Sequence, residues 1–143
     1  PSGEARVYAA GTKAVTFEYL GWNIRPIICY DLRFPVFCRS NDDYDLLICV
    51  ANWPAARIQA WDTLLRARAI ENMAYSIGVN RIGRDAYRLD YPGHSAAYNS
   101  LGDCKGIADK NQFLTHVVLD KSKLVATKEK LPFLEDRDAF TLE

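Results

Sequence analysis

One cysteine, Cys29, stands where an apolar run gives way to polar residues, in the stretch IRPIICYDLRFP at residues 24–35. If the run is a strand, its thiol lies at the carboxyl end, where α/β proteins place ligand sites. A thiolate there could attack a carbonyl carbon, but a thiol needs a base, a cation or a helix N-terminus to ionise. Asp31 and Arg33 supply the nearest charges. Because free cysteines are among the most buried residues, position alone favours a core thiol over a nucleophile.

A second apolar run ends in a loop that begins with Asn52, Trp53 and Pro54. An amide and an aromatic ring at a strand's carboxyl end are suited to the wall of a small-molecule pocket. The alternative is a loop whose Trp53 ring packs on the core, since loops at strand ends hold both kinds of residue. The sequence leaves both interpretations open.

Two charged residues, Arg68 and Glu71, lie three apart in LLRARAIENMAY, so a helix would place them on one face. The ordinary interpretation is a solvated ion pair, which contributes little to stability. The alternative is that Glu71 points towards the sheet that carries Cys29. Helical spacing permits that orientation and does not establish it.

The stretch GVNRIGRD places polar side chains after another apolar run. Asn80 or Arg81 could bind a substrate carboxylate, and Arg84 is a further candidate cation. Structural hydrogen bonding is the favoured interpretation, since most side-chain hydrogen bonds go to backbone or water.

Two histidines are candidate bases for Cys29. His116 alternates with apolar residues in FLTHVVLD and is expected on a sheet face, whereas His94 follows Pro-Gly in a loop. Partners in a Cys–His pair are adjacent in space and not in sequence, so a thiol hydrolase that uses His94 stays an open alternative.

Composition excludes several classes of function. The chain has 143 residues, 49% hydrophobic and 25% charged, with 18 basic and 18 acidic side chains. This neutral balance argues against nucleic-acid or membrane-surface binding, and no apolar run approaches the roughly 20 residues of a membrane span. The four cysteines form no CxxC pair, so neither a metal nor another cofactor is predicted. We expect a reducing, cytoplasmic setting.

The pattern of elements indicates an α/β fold in one domain spanning residues 1–143. An apolar stripe of Ile58, Trp61, Leu65, Ala69 and Met73 predicts a buried helix over 57–73. The remaining predicted strands cover 13–20, 24–29, 44–51, 74–83, 95–100 and 113–120, with short helices at 33–40 and 121–130 and a polar loop at 84–94.

Taken together and in this order, several stretches resemble the carbon–nitrogen hydrolase (nitrilase) superfamily, and most closely its bacterial YafV-type omega-amidases. The resembling stretches are ICYDLRFP, YDLLICVANWP, RARAIENMAYSIGVNRIG, GHSAAYNSLGD and EDRDAFTL. The likeness covers nearly the whole chain. It implies part of an αββα sandwich, with a mixed sheet and helices on its outer face, and a homodimer.

The resemblance also implies a chemistry. Cys29 matches the family nucleophile, which forms a thioester with a small carboxamide such as an omega-amide of a 2-oxo dicarboxylate and releases ammonia. The N–H of Tyr30 matches an oxyanion donor. Trp53 matches a pocket wall, with Asn52 and Pro54 beside it. Glu71 matches a structural glutamate, and with it we group Arg68, Asp31 and Arg33 as supporting residues.

The chain departs from the family pattern ahead of the cysteine. The family's glutamate base and lysine both precede the nucleophile by long stretches, but only 28 residues precede Cys29. The candidates there, Glu4, Lys13 and Glu18, do not stand in the family's motifs. We therefore expect an N-terminally truncated, C-terminal half that is inactive alone and leaves an apolar sheet face unpaired. A non-catalytic remnant of the fold is the alternative.

Overall fold

The computed structural model describes residues 3, 6–11, 13–108, 111 and 114–140. Its strands and α-helices are, in chain order, β1 (Phe17–Tyr19), β2 (Trp22–Ile28), α1 (Pro35–Cys38), β3 (Leu46–Ala51), α2 (Ile58–Glu71), β4 (Tyr75–Asn80), β5 (Ile82–Arg84), β6 (Asp90–Pro92), β7 (Ser95–Tyr98), β8 (Cys104–Ala108) and α3 (Lys121–Lys130). Short 3-10 turns occupy Cys29–Arg33, Ala55–Arg57 and Phe133–Asp136.

Six strands form one mixed sheet in the order β1-β2-β3-β4-β7-β8, and β5 pairs with β6 apart from it. The central strands β2, β3 and β4 are parallel, and the outer pairs are antiparallel. Parallel neighbours need a crossover, which α2 supplies between β3 and β4. The predicted α/β class is confirmed. The parallel strands all end at one edge of the sheet, which is where Cys29 and the Asn52 loop emerge.

Helix α2 covers one face of this sheet with the stripe that its sequence predicts. Trp61, Leu65 and Ala69 are all fully buried, and they pack in one cluster with Leu47 and Cys49 of β3. The recurrence every four residues keeps these side chains on one side of the helix. This packing fixes α2 against the strands that carry the candidate site.

We expect Gly78→Ala to destabilise the fold strongly, because a Cβ at Gly78 would lie 2.5 Å from Leu65 Cδ2 and 2.5 Å from Trp61 Cζ2. Overpacking a buried contact costs about 1–3 kcal/mol. Urea denaturation measures the change. Gly11→Ala is the matched control, since a Cβ there meets no atom within 4 Å. Equal stability of the two variants would contradict this packing.

The opposite face of the sheet is only partly covered. Leu124 of α3 packs there with Ile24, Leu46 and Tyr75 at the amino ends of the strands. At the carboxyl ends, three aligned side chains stay exposed: Ile28 by 68%, Val50 by 48% and Val79 by 50%. This exposed row agrees with the apolar face that the sequence predicts.

Two stretches differ from their predicted structure. Residues 84–94 were expected as a loop, but β5 and β6 form a hairpin closed by the register of Arg84 with Asp90. The strand expected over 113–120 is absent from its described part, residues 114–120, because β8 takes the place beside β7 after a tight turn. Val117 instead lies over Gly106 on the sheet face. His116 is therefore exposed and outside the sheet.

Pro26 lies within β2, where its ring removes a donor from the ladder. The sequence predicts an edge, a bulge or a strand start at this residue. The register agrees with an edge: β1 pairs with β2 only from Trp22 to Ile24, so Pro26 has a strand neighbour on the β3 side alone. β1 is shorter than the predicted strand over 13–20.

Candidate active site

Cys29 is the first residue of a 3-10 turn, Cys29–Arg33, which we call the Cys29 turn. It follows β2 directly, so the thiol lies at a parallel strand's carboxyl end. Its φ of +45° is a left-handed conformation that non-glycine residues rarely adopt. Such a conformation persists only where the surroundings hold it, and it is concentrated at functional sites. Tyr30 is second in the turn, and the first N–H groups of a helix have no acceptor within it.

The Cys29 turn is held from within by Asp31. Its Oδ2 accepts a hydrogen bond from the backbone N–H of Ile28 at 2.9 Å, across the residue that carries the thiol. The Asp31 carbonyl accepts from the N–H of Phe34 at 3.0 Å and from Sγ of Cys38 at 3.6 Å. The carboxylate is therefore used in the turn and is not directed into the site as a free base.

Arg68 holds the same turn from α2. Its Nη2 and Nε donate to the carbonyl of Leu32 at 2.7 and 3.2 Å, and its Nη1 pairs with Glu71 Oε1 at 2.8 Å. The Arg68 side chain is only 4% exposed, whereas Glu71 is 40% exposed. The pair is thus neither fully solvated nor directed towards Cys29, and its buried member is the arginine that contacts the Cys29 turn.

A cavity of about 400 Å³ opens beside Cys29. It is lined by Cys29, Tyr30, Arg33, Asn52, Trp53, Pro54 and Arg57. The structure therefore brings together the sequence-predicted nucleophile, its neighbour Tyr30 and all three predicted pocket residues. Arg33 stacks its guanidinium on the Trp53 ring, 4.8 Å from the centroid. The aromatic wall and the Cys29 turn are joined by this contact.

The Asn52–Pro54 loop is fixed by Asn80. Its Oδ1 accepts from the N–H of Trp53 at 2.6 Å, and its Nδ2 donates to the carbonyls of Trp53 at 3.0 Å and Gly93 at 2.7 Å. Asn80 is buried, and its side-chain amide forms these hydrogen bonds with backbone groups. The structural interpretation of Asn80 is thus confirmed. Through these bonds Asn80 fixes the loop that forms one wall of the cavity.

Arg57 also lines the cavity, although it is not among the residues that the sequence predicts for the site. Its carbonyl accepts from Trp53 Nε1 at 2.7 Å and its N–H donates to Pro54 O at 3.0 Å. Those bonds close the Ala55–Arg57 turn under the Trp53 ring. The available signal was the spacing: a basic residue three positions after Pro54 returns to the same side of a one-turn helix.

The other candidate cations and the candidate histidine base lie elsewhere. Arg81 stacks over the Tyr91 ring at 4.8 Å, and Arg84 makes a bidentate pair with Asp90 at 2.8 and 3.0 Å. The ring of His94 bonds Asp62 at 3.1 Å. None of the three lines the cavity beside Cys29, so the structure does not support His94 as a base for that thiol.

The residues ahead of Cys29 also stay away from the cavity. Lys13 and Glu18 are exposed and do not line it, while Glu4 is outside the described residues. Within the described part of the chain, no three His, Cys, Asp or Glu side chains are grouped as a metal site requires. Among the same residues, no helix has the length and apolar character needed to cross a bilayer.

The cysteines differ sharply in environment. Burial raises the pKa of the Cys49 thiol to about 12, against a smaller lowering by a backbone hydrogen bond from Cys29. Burial likewise raises the pKa of Cys38 above its ordinary value, against the lowering effect of Arg68. Both thiols therefore stay protonated at neutral pH and are inert. Cys29 is half-buried beside the cavity, and Cys104 is exposed.

We expect the fold to weaken above pH 9 through Cys49. Because the folded pKa of about 12 exceeds the ordinary 9.0, the folded chain keeps a proton that the unfolded chain releases. This stabilisation is complete below pH 9 and is lost as the pH rises towards 12. The free energy of unfolding should fall by about 1 kcal/mol per pH unit there. Urea denaturation in alkaline buffers should show a shallower fall for Cys49→Ala, and an unchanged slope would contradict the assignment.

A model of the carbon–nitrogen hydrolase family matches residues 2–129. The chain belongs to the carbon–nitrogen hydrolase family. Among curated members, it is 45% identical to omega-amidase YafV of Yersinia enterocolitica, over 99% of this chain and 56% of that protein. It is 36% identical to the 2-oxoglutaramate amidase of Paenarthrobacter nicotinovorans, over 96% of this chain and 48% of that one. The chain thus spans about half the length of these carbon–nitrogen hydrolases.

A solved carbon–nitrogen hydrolase has the same fold. The crystal structure of XC1258 from Xanthomonas campestris, a CN-hydrolase superfamily protein with an arsenic adduct in its active site, superposes with a TM-score of 0.89. Its sequence is 42% identical, and the match covers 98% of this chain and 56% of that one. The predicted nitrilase-like fold is confirmed by this likeness.

Proposed function

We propose that this chain carries the nucleophile of a thiol amidohydrolase. The Cys29 thiolate attacks the carboxamide carbon, and the N–H of Tyr30 donates to the oxyanion that forms. The C–N bond then breaks, the nitrogen takes a proton and ammonia leaves, which gives an acyl thioester on Cys29. Water attacks the thioester, releases the carboxylic acid and returns the thiol. Atoms balance as one amide and one water giving one acid and one ammonia.

One observation carries the proposal. Cys29 is held in a left-handed conformation at the carboxyl end of β2 and lines a cavity with Tyr30 and Trp53. The core thiols Cys38 and Cys49 have burial-raised pKa values and no place in that cavity. Cys29 therefore combines the backbone strain, access to the cavity and a neighbouring N–H that a nucleophile needs.

The 143 residues should turn over amides slowly by themselves. No lysine or glutamate is found among the described residues that line the cavity, so neither a base nor an ammonium group is supplied there. A nucleophile without its base loses most of its catalytic advantage. We propose that a glutamate and a lysine outside these residues complete the site.

The substrate proposed is a small omega-amide of a 2-oxo dicarboxylate. The support is the identity of 45% with an omega-amidase and of 36% with a 2-oxoglutaramate amidase. The cavity of about 400 Å³ suits a small molecule better than a peptide.

Ammonia release from such an amide tests the function. The protein expressed from its complete coding sequence should release one ammonia per amide bond cleaved, and the 143-residue polypeptide should be much slower. Full activity in the 143 residues would overturn the proposed incompleteness. No ammonia release by the complete protein, from any small carboxamide, would favour the non-catalytic alternative.

We further propose a homodimer in the cytoplasm. The support for self-association is an exposed aromatic row that begins in the Cys29 turn. In it the rings of Tyr30 and Phe34 lie 5.1 Å apart, and those of Phe34 and Phe37 lie 6.5 Å apart. Free cysteines at all four positions suit a reducing compartment. Sedimentation of wild type and Phe37→Asp tests the first point, since a dimer through this row should dissociate in the variant.

A further inference from the structure

The cavity beside Cys29 is cationic. Its lining includes two arginines, Arg33 and Arg57, and no aspartate or glutamate among the described residues. A concave site lined by one sign of charge concentrates ligands of the opposite sign. This positive charge does not attract a neutral amide, whereas it attracts an amide that also carries a carboxylate.

The two arginines differ in the contacts that their guanidinium groups already make. The guanidinium of Arg33 is stacked on the Trp53 ring. Arg57 is exposed, and within the described part of the chain its guanidinium forms no ion pair or hydrogen bond with another side chain. Its planar fork of donors is therefore available to a ligand, and that geometry matches a carboxylate.

The backbone of Arg57 is held firmly even though its side chain is exposed. Both polar groups of its main chain are used in the Ala55–Arg57 turn: the carbonyl by Trp53 Nε1 and the N–H by Pro54 O. Trp53 is in turn 3% exposed and is bonded by Asn80. The base of the Arg57 side chain is thus fixed relative to the cavity wall, which lowers the entropy lost when its tip binds a ligand.

We propose that Arg57 is a specificity-determining residue that binds the carboxylate of an anionic amide substrate while the amide end meets Cys29. This inference rests on the proposed amidase function and deepens it. Cation and thiol line one cavity but belong to different loops, so a ligand that reaches both must carry its carboxylate and its amide at opposite ends. The earlier candidates Arg81 and Arg84 do not line this cavity.

Hydrolysis of two matched amides tests this role in the protein expressed from its complete coding sequence. One is the monoamide of a four-carbon dicarboxylic acid, and the other is butyramide, which has a methyl group in place of the carboxylate. Arg57→Ala should lower kcat/KM for the monoamide by about ten- to a hundred-fold, the worth of a charged hydrogen bond, and change that for butyramide by less than about twofold. Arg84→Ala is the matched control and should change neither value.

Alkylation of Cys29 gives a readout that does not depend on turnover. Iodoacetate carries a negative charge that iodoacetamide lacks. The rate of alkylation by iodoacetate divided by the rate by iodoacetamide therefore reports the electrostatic potential at Cys29. The ratio should fall in Arg57→Ala and stay unchanged in Arg84→Ala. If wild type hydrolyses no amide but the ratio falls, the proposed function fails and the anion site stands. An equal loss for both amides, or an unchanged ratio with unchanged kinetics, would overturn the role of Arg57.

Discussion

Replacement of Cys29 by alanine should abolish amide hydrolysis, with a loss on the order of 10⁴-fold or more in kcat. The reason is that the thioester forms on this sulfur and no other described thiol reaches the cavity. Ammonia release by the protein expressed from its complete coding sequence measures the loss. Folding should be nearly unaffected, since Cys29 is only half-buried and the Cys29 turn is held by Asp31 and Arg68.

The matched control is Cys104→Ser, which changes an exposed cysteine on β8 and should keep full activity. Iodoacetamide gives an independent comparison in a Cys104→Ser background. Cys29 should label far faster than Cys38 and Cys49, whose thiols are buried and protonated. Comparable labelling of all three cysteines, or near-normal hydrolysis by Cys29→Ala, would contradict the assignment of Cys29 as the nucleophile.

Replacement of Arg68 by methionine should produce the second large effect, on both activity and stability. The buried Leu32 carbonyl would lose two donors, and the Cys29 turn would lose its support from α2. We expect unfolding to become easier by about 2–3 kcal/mol. We expect kcat to fall about 10- to 100-fold, because small displacements of a reacting group cost this much, with KM changed less.

Glu71→Gln is the control, because it removes the charge of the half-exposed partner and leaves Arg68 on Leu32. Its effect on stability should stay below about 1 kcal/mol. A purely structural role for Arg68 would leave the pH profile of Cys29 alkylation unchanged in folded Arg68→Met, whereas a positioning role shifts that profile. Arg68→Lys, with one point charge in place of the fork, should recover stability more than kcat.

The parts of the fold that the sequence predicts best are those with a strong local pattern. The stripe through Trp61, Leu65 and Ala69 predicts α2 because burial on one helix face requires that spacing. The continuous apolar run of β3 likewise predicts a strand that is buried between two neighbouring strands. The Cys104–Ala108 strand was missed because CKGIA lacks alternation, and its pairing with β7 depends on a turn at Asn99–Gly102 that only the folded chain closes.

The candidate site was predictable only in its linear stretches. Cys29 and Trp53 stand out because each follows an apolar run, and parallel strands bring such ends to one edge. The contact of Trp53 with Arg57 depends on the Ala55–Arg57 turn, and the contact of Arg68 with Leu32 joins residues 36 apart. No local pattern encodes the contact of Arg68 with Leu32. The contact of the His94 ring with Asp62, which argues against His94 as the base for Cys29, likewise depends on the folded chain.

The most direct test of Cys29 as the nucleophile is mass spectrometry of the protein after acid quenching during turnover of the monoamide. Trypsin separates the four cysteines into four peptides, and Cys29 is alone in the peptide of residues 14–33. If the thioester forms on Cys29, this peptide gains the mass of the acyl group in proportion to the ammonia released in the first turnover. Ammonia release with acyl mass on another peptide, or with none on residues 14–33, would contradict Cys29 as the nucleophile.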